Sequence, residues 1–185
     1  VEELIVKLHG KADLHLLDTK SIAISEGQII QYAVEMIEKN IKGAIIEERL
    51  REAIPHFYTL IATPNLSYLY KSGFIDLGQA ISGEMISFLP IFSLEEGKLN
   101  PVEKVKNTRS MFDYFIEFID EFDNLQNVSL VQPSLPGHNE SKLIKQHIEE
   151  FFPETHFSEH VINPYLASLI GPQGIEIVIT EKLED

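Results

Sequence analysis

The residues with the clearest chemical pattern are two histidines and a glutamate in one short segment. His156, Glu159 and His160 have the spacing H-x-x-E-H, which is the inverted form of a zinc-protease motif. That chemistry needs both imidazoles on one face of a helix, where they hold the metal while the carboxylate activates a water. The segment follows Pro153 and leads into two β-branched residues, a pattern typical of a strand. We therefore favour exposed strand histidines over a metal hydrolase and expect no metal site and no cofactor.

Two further groups of polar residues could bind a ligand. Thr19 and Ser21 follow a predicted short strand, where α/β proteins commonly bind ligands, but a polar turn before the next helix accounts for them as well. Lys104, Lys106 and Arg109 form a basic cluster that could hold a carboxylate or a phosphate, or could be a solvated hairpin arm. No Ser-His-Asp arrangement, pair of catalytic carboxylates or nucleotide-binding loop stands out, so an enzyme is not predicted.

The charge of the chain excludes several classes of partner. Its 185 residues include 29 acidic and 15 basic side chains, which gives a net charge of −14. Because such a chain repels phosphates, we expect neither nucleic acid nor an anionic membrane surface as a partner. The chain has no cysteine, which suits a reducing, cytoplasmic location, and no apolar run long enough to span a membrane.

Short apolar strands alternate with amphipathic helices along the chain, which predicts an α/β fold with at least partly parallel strands. Ser25 and Gln28 have the spacing of a capping box at the start of the first helix. A weak boundary near Thr63-Pro64, read as a helix start, divides the chain into residues 1–63 and 64–185. The predicted strands cover residues 13–17, 57–62, 90–94, 99–105, 128–131, 155–162 and 175–180. The predicted helices cover 25–37, 44–54, 64–72, 76–88, 110–122, 140–152 and a short stretch after Pro164.

Five segments resemble, in order, the motifs of the DegV family, and the first of them, Leu17–Gly27, is similar to its Asp-Ser loop with a glycine-bounded helix start. Leu66–Ile75 is similar to its Leu-x-Tyr-Leu-Lys helix followed by Gly-Gly-Arg-Ile, and Leu89–Lys98 to its Lys-Pro-Ile-Leu strand with an Asp-Gly turn. Glu103–Arg109 resembles its Lys-Val-Arg arm, and Ser168–Pro172 its His-x-Gly-Pro-Gly turn. No single motif is decisive, but their order is specific.

The resemblance implies a bacterial two-domain α/β protein that binds one long-chain fatty acid and presents it to a fatty acid kinase, rather than an enzyme. It implies that residues 1–63 are the carboxyl-terminal part of the first domain and that residues 64–185 are a complete second domain with a tunnel for the lipid tail. By the same resemblance, the residues expected to bind the lipid are Phe74, Ile75, Met85, Phe88, Leu89, Ile91, Leu169, Ile170 and Gly171. The expected contacts to the head group or to a partner are Thr19, Ser21, Lys104, Lys106 and Arg109.

Two departures from the family pattern open an alternative. Phe74 stands where the family has Arg, and Leu169 where it has His, so two polar donors of the head-group end are replaced by apolar side chains. A DegV-like module without a ligand, acting through protein contacts, is the second hypothesis. An incomplete first domain would also leave an unpaired sheet edge, which favours a homodimer.

Overall fold

The computed structural model describes residues 14–85, 87–135, 137 and 139–183. The chain divides into two compact units between His56 and Phe57. The expected boundary between residues 63 and 64 lies slightly later in the chain. The difference arises because the strand Phe57–Ala62 pairs on both sides with strands of the second unit and therefore belongs to it.

The described part of the first unit contains two packed helices, α1 (Ala23–Glu38) and α2 (Gly43–Ala53), and a 3₁₀ turn at Ile54–His56. The helical spacing of Ile29, Ile30, Ala33, Val34 and Ile37 predicts the apolar face of α1, but of these only Ile29 is buried, and Ile30, Val34 and Ile37 are exposed. The buried apolar residues of the two helices are Ile29, Met36, Ile46, Leu50 and Ala53.

Two other predictions for the first unit are also wrong. Residues 14–17 form no strand, and residue 13, the start of the predicted strand, lies outside the described part of the chain. The capping box is absent because helix α1 begins two residues before Ser25, whose hydroxyl donates to the carbonyl of Ile22 instead. Among the described residues, 14–17 pair with no strand. A short alternation of apolar residues is therefore a weak predictor of a strand.

The second unit is built on a six-stranded sheet in the order β3-β2-β1-β6-β4-β5. Neighbouring strands are antiparallel except β4 and β5, which are parallel, so the predicted mixed α/β fold with partly parallel pairing is confirmed. The strands are β1 (Phe57–Ala62), β2 (Leu89–Glu95), β3 (Lys98–Val105), β4 (Leu125–Gln132), β5 (His156–Val161) and β6 (Ile175–Glu181).

Five helices accompany the sheet, and most begin at a polar capping residue. They are α3 (Leu66–Lys71), α4 (Leu77–Glu84), α5 (Thr108–Ile119), α6 (Ser141–Phe151) and α7 (Pro164–Ile170). Helix α3 is capped by Asn65, not by the predicted Thr63, whose hydroxyl is buried and donates to the carbonyl of Ile170 at 2.6 Å. None of the described helices has the length and apolar composition needed to cross a membrane.

The main core lies between one face of the sheet and helices α5 and α6. The wide apolar stripe of α5 supplies it with Phe112 and Phe115, which are fully buried and meet edge to face at 6.1 Å. Ile144 and Ile148 of α6 join the same cluster. The strand residues facing these helices include Leu60, Ile91, Val128, Leu130, Ile177 and Ile179.

The opposite face of the sheet holds a buried acid. Glu176 alternates with the core residues of β6 and therefore points away from α5 and α6. Its neighbours across the sheet are Ile61 and Val131, the side chain is completely buried, and neither carboxylate oxygen has a hydrogen-bond partner. Burial alone raises the pKa of Glu176 from its ordinary 4.5 to about 8. At neutral pH the acid is therefore protonated in the folded chain.

We expect Phe112→Ala to lower the free energy of unfolding by about 3–5 kcal/mol, because it removes a fully buried ring and leaves a cavity in the core. The matched control is Phe151→Ala on α6, where the ring is 61% exposed and the loss should be about 1 kcal/mol or less. Urea denaturation measures both. Equal losses would contradict the assignment of α5 as the core helix.

Glu176 predicts a pH dependence of stability. Between about pH 4.5 and 8 the folded chain keeps the proton of Glu176 while the unfolded chain releases it, so the free energy of unfolding falls as the pH rises. The stability of Glu176→Gln relative to the parent should therefore rise by up to roughly 1.4 kcal/mol per pH unit across this window. Urea denaturation from pH 4.5 to 8 tests this, with exposed Glu117→Gln as the control. A difference that stays constant with pH would show that Glu176 is not protonated in the folded chain.

Candidate functional site

The second unit contains a cavity of about 270 Å³ between the β2–β3 hairpin and helices α3 and α4. Its wall is mostly apolar, with three aromatic rings and two prolines. The lining residues are Leu66, Phe74, Ile75, Gln79, Ser82, Gly83, Phe88, Pro90, Phe92, Leu99, Pro101 and Lys104.

The hairpin wall of the cavity is set by its turn and by a bulge. Strands β2 and β3 are joined by Glu96 and Gly97, both with positive φ, which is the two-residue turn that matches the twist of paired strands. The register shifts between Ile91 and Phe92, so the hairpin is kinked beside the site. On the two sides of this kink, Ile91 packs into the main core and Phe92 lines the cavity.

The helical wall depends on the start of α4 and on one glycine. The Asp76 carboxylate accepts from the Gln79 backbone at 2.8 Å and the Gln79 side chain accepts from the Asp76 backbone at 2.9 Å, which fixes where α4 begins. Gln79, Ser82 and Gly83 then lie at helical spacing on the cavity side. A Cβ atom at Gly83 would overlap Cδ1 of Leu66, so the glycine permits the close approach of α3 and α4.

Three polar side chains interrupt the apolar wall. The Gln79 amide oxygen is used by the capping box, while its amide nitrogen and the Ser82 hydroxyl are donors on the same helix face. Lys104 reaches the cavity from β3, where its cross-strand neighbour is Pro90. Within the described residues its amine forms no ion pair with a carboxylate. The cavity can therefore accommodate an apolar chain that carries a polar or anionic group.

Of the nine residues expected to bind lipid, Phe74, Ile75 and Phe88 line this cavity. Leu89 and Ile91 belong to the packing of the main core instead. Met85 is 81% exposed at the end of α4 and is not part of the cavity wall.

Leu169, Ile170 and Gly171 lie at the end of α7, away from the cavity wall. Ile170 and Gly171 are buried and Leu169 is half-buried. Gly171 has a φ of 90°, and a Cβ there would approach the Tyr68 ring at 3.1 Å, so this turn requires glycine. The structure thus accounts for the glycine at position 171, but none of the three residues lines the cavity.

Thr19 and Ser21 form a local polar turn in the first unit. The Ser21 backbone donates to the Thr19 hydroxyl at 3.3 Å, and the Ser21 hydroxyl donates to the Thr19 carbonyl at 3.1 Å. Lys20 pairs with Asp18 within the same turn. These contacts are those of a turn before a helix, the second of the two interpretations offered by the sequence.

The basic cluster does not act as a unit. Arg109 donates to Asp113 at 3.1 Å, one turn along α5. Lys106 is exposed just beyond β3 and is not part of the cavity wall, whereas Lys104 is. The structure therefore brings one of the three basic residues to the cavity.

Eight of the twelve wall residues were not expected from the sequence, including Leu66, Gln79, Ser82, Gly83 and Phe92. The signal that could have found the α4 residues is their spacing of three and four, opposite the apolar positions Leu77 and Ile81 of the same helix. The hairpin residues needed the position of the bulge, which the sequence does not mark.

The H-x-x-E-H segment forms strand β5, and this geometry contradicts the metal-hydrolase hypothesis. Strand alternation places Glu159 opposite the two histidines, and its carboxylate accepts from the Gln132 side chain at 3.0 Å. His160 contacts the Ser158 hydroxyl at 2.9 Å. Across the described part of the chain, no group of three histidine or acidic side chains is arranged to hold a metal ion.

Comparison with known proteins identifies the family. The model described as "Uncharacterised protein, DegV family" matches residues 2–182. A DegV domain-containing protein of Staphylococcus aureus is 22% identical over 174 residues, which cover 92% of this chain and 62% of that protein.

Two solved structures resemble this fold closely. One is a fatty acid binding DegV family protein from Streptococcus agalactiae, with a TM-score of 0.84, 18% identity, and coverage of 98% of this chain and 64% of that one. The other is the Streptococcus pneumoniae Fatty Acid Kinase B3 protein loaded with linoleic acid, with a TM-score of 0.83, 11% identity and the same coverage. The chain thus spans less than two thirds of each of these relatives. With the family model matching almost its whole length, the chain belongs to the DegV family.

Proposed function

We propose that this chain binds one long-chain fatty acid and holds part of its tail in the cavity between the β2–β3 hairpin and helices α3 and α4. The observation that carries the proposal is the apolar wall of that cavity, in which Phe74, Phe88 and Phe92 contribute aromatic rings. The related proteins from Streptococcus agalactiae and Streptococcus pneumoniae, a fatty-acid-binding protein and one loaded with linoleic acid, support the same ligand class.

The size of the cavity suits the end of an acyl chain. Its volume of about 270 Å³ is near the lower limit of small-molecule sites, which run from roughly 300 to 1,000 Å³. Burial of each methylene group contributes about 0.8 kcal/mol, so a tail segment of about six carbons contributes roughly 5 kcal/mol before the cost of association is subtracted. The remaining expected residues, Met85, Leu89, Ile91 and the Leu169–Gly171 turn, would then contact the ligand only after movement of the wall.

The bound acid would be presented to a fatty acid kinase. The name of the Streptococcus pneumoniae relative, a fatty acid kinase B protein, supports this role. In this view the chain is a cytoplasmic carrier, and the kinase carries out the phosphoryl transfer on the carboxyl group.

A second candidate is a module without a ligand that acts through protein contacts. The observation in its favour is an exposed apolar stripe on α4, where Leu77, Ile81 and Met85 lie one turn apart and are 51%, 52% and 81% exposed. Such a stripe fits a partner protein or a second copy of the chain. The two candidates differ in one measurable property, since only the first requires palmitate binding by the isolated chain.

We expect Gly83→Leu to weaken palmitate binding at least tenfold, because the new side chain displaces Leu66 into the cavity and occupies the space of the tail. Isothermal titration calorimetry of the delipidated chain with palmitate measures the effect. Gly27→Leu on α1 is the matched control, since it makes the same change in a helix outside the cavity wall, at a position where a Cβ atom meets nothing within 4 Å. It should alter the affinity by less than about twofold, and both variants gain helix propensity.

Equal palmitate affinities for the two leucine variants would place the tail elsewhere. Thermal denaturation followed by circular dichroism shows whether both variants are folded. If Gly83→Leu does not fold, Ser82→Trp places a large side chain in the same cavity without the overlap at Leu66 and should weaken binding in the same direction.

A further inference from the structure

Within the described part of the chain, Glu176 is the one buried side chain whose polar atoms lack a hydrogen-bond partner. Other buried polar side chains are paired: the Thr63 hydroxyl donates to the carbonyl of Ile170 at 2.6 Å. The Gln132 amide likewise donates to the carboxylate of Glu159 at 3.0 Å. Because burial raises the pKa of Glu176 to about 8, its carboxyl group holds a proton at neutral pH and offers one donor and one acceptor. A ligand that brings a polar group to this position would satisfy both.

The acid lies on the same face of the sheet as the cavity. In the register of the central strands, Phe92 lies opposite Ile61, and Ile61 lies opposite Glu176. The three side chains therefore form one row across β2, β1 and β6, and the first of them is part of the cavity wall. Two strand spacings separate the Cα atoms of Phe92 and Glu176 by roughly 10 Å. In this row, Ile61 alone stands between the acid and the cavity.

The cavity is open on the side of α4 and buried on the side of this row. Gln79, Ser82 and Phe88 are exposed, whereas Leu66 and Phe92 are buried. An acyl chain that enters from the exposed side therefore directs its far end toward the row that leads to the acid.

The far side of Glu176 is apolar as well. Ile175 packs into the main core, so strand alternation places Gly174 and Glu176 together on the opposite face. A Cβ atom at Gly174 would lie 2.6 Å from Cδ1 of Ile170, so this fully buried isoleucine covers the same face. A hydrocarbon chain that runs from the cavity toward Ile170 thus crosses the unpaired acid.

We propose that the far end of the bound chain crosses Ile61 and that Glu176 hydrogen-bonds a hydroxyl group there, so that this chain prefers fatty acids hydroxylated at the terminal carbon to unsubstituted acids of the same length. The inference rests on the proposed function and names the class of ligand. The contact requires the Ile61 side chain to change its rotamer. The hydroxyl then accepts from the neutral carboxyl group and donates to its carbonyl oxygen, whereas a methyl end leaves both unpaired.

The test compares two ligands that differ in one hydroxyl group. Palmitate and 16-hydroxypalmitate are titrated calorimetrically into the delipidated parent and three variants, and the ratio of the two dissociation constants is the quantity compared. We expect the preference for 16-hydroxypalmitate to fall at least about tenfold in Glu176→Leu, which cannot form the hydrogen bonds, while palmitate still binds. Glu176→Gln keeps a donor and an acceptor and should keep the preference. Glu117→Leu is the matched control, since it makes the same change at an exposed position of α5 and should leave the ratio unchanged.

An infrared measurement covers the case in which Glu176→Leu does not fold. In the parent, 16-hydroxypalmitate but not palmitate should shift the C=O stretching band of the protonated Glu176 carboxyl group to lower frequency, because the carbonyl gains a hydrogen bond. Glu176→Gln identifies this band by its loss. A band that stays in place when 16-hydroxypalmitate binds would contradict the inference.

The outcomes separate the inference from the proposed function. A parent that binds palmitate and 16-hydroxypalmitate equally well, or a preference that survives in Glu176→Leu, overturns the inference and leaves the tail site in place. If the parent binds neither ligand, the proposed function itself fails, and the inference fails with it.

Discussion

The pairing of strand β6 between β1 and β4 is the constraint on which the rest of the second unit depends. This strand comes from the end of the described chain, yet it joins the β1-β2-β3 half of the sheet to the β4-β5 half. Its residues Ile177 and Ile179 face the helices of the main core, while Val178 is buried on the other face. Because these contacts link residues distant in sequence, closing the sheet costs considerable loop entropy that only the apolar burial on both faces can offset.

Strand β6 also carries Glu176, a fully buried acid whose carboxylate oxygens have no hydrogen-bond partner. A carboxyl group in its neutral form is tolerated in that position, because its two cross-strand neighbours, Ile61 and Val131, exclude water and no charged group among the described residues shifts its pKa. The cavity lies further along the sheet, where Phe92 pairs with Ile61. Its walls depend on two local features, the β2–β3 turn and the close approach of α3 and α4 at Gly83, and the central strands hold both in place.

The sequence predicts those elements in which a local pattern decides the structure. The strand Phe57–Ala62 and the Glu96-Gly97 hairpin follow from apolar runs bounded by turn residues. The cavity is only partly predictable: resemblance points to Phe74 and Phe88, but the face that α4 turns toward the hairpin is set by tertiary packing at Gly83. The burial of Glu176 could not be predicted from the sequence either, because no local pattern shows that its strand lies in the middle of the sheet.

The central claim is that this acidic member of the DegV family holds one fatty acid in its second unit. Native mass spectrometry of the purified chain, followed by denaturation and lipid extraction, tests it most directly. The account predicts one added mass in the range of a long-chain fatty acid per chain, which is released on denaturation. A chain that is purified empty and remains empty after incubation with palmitate or oleate would contradict it and would favour a module that acts through protein contacts.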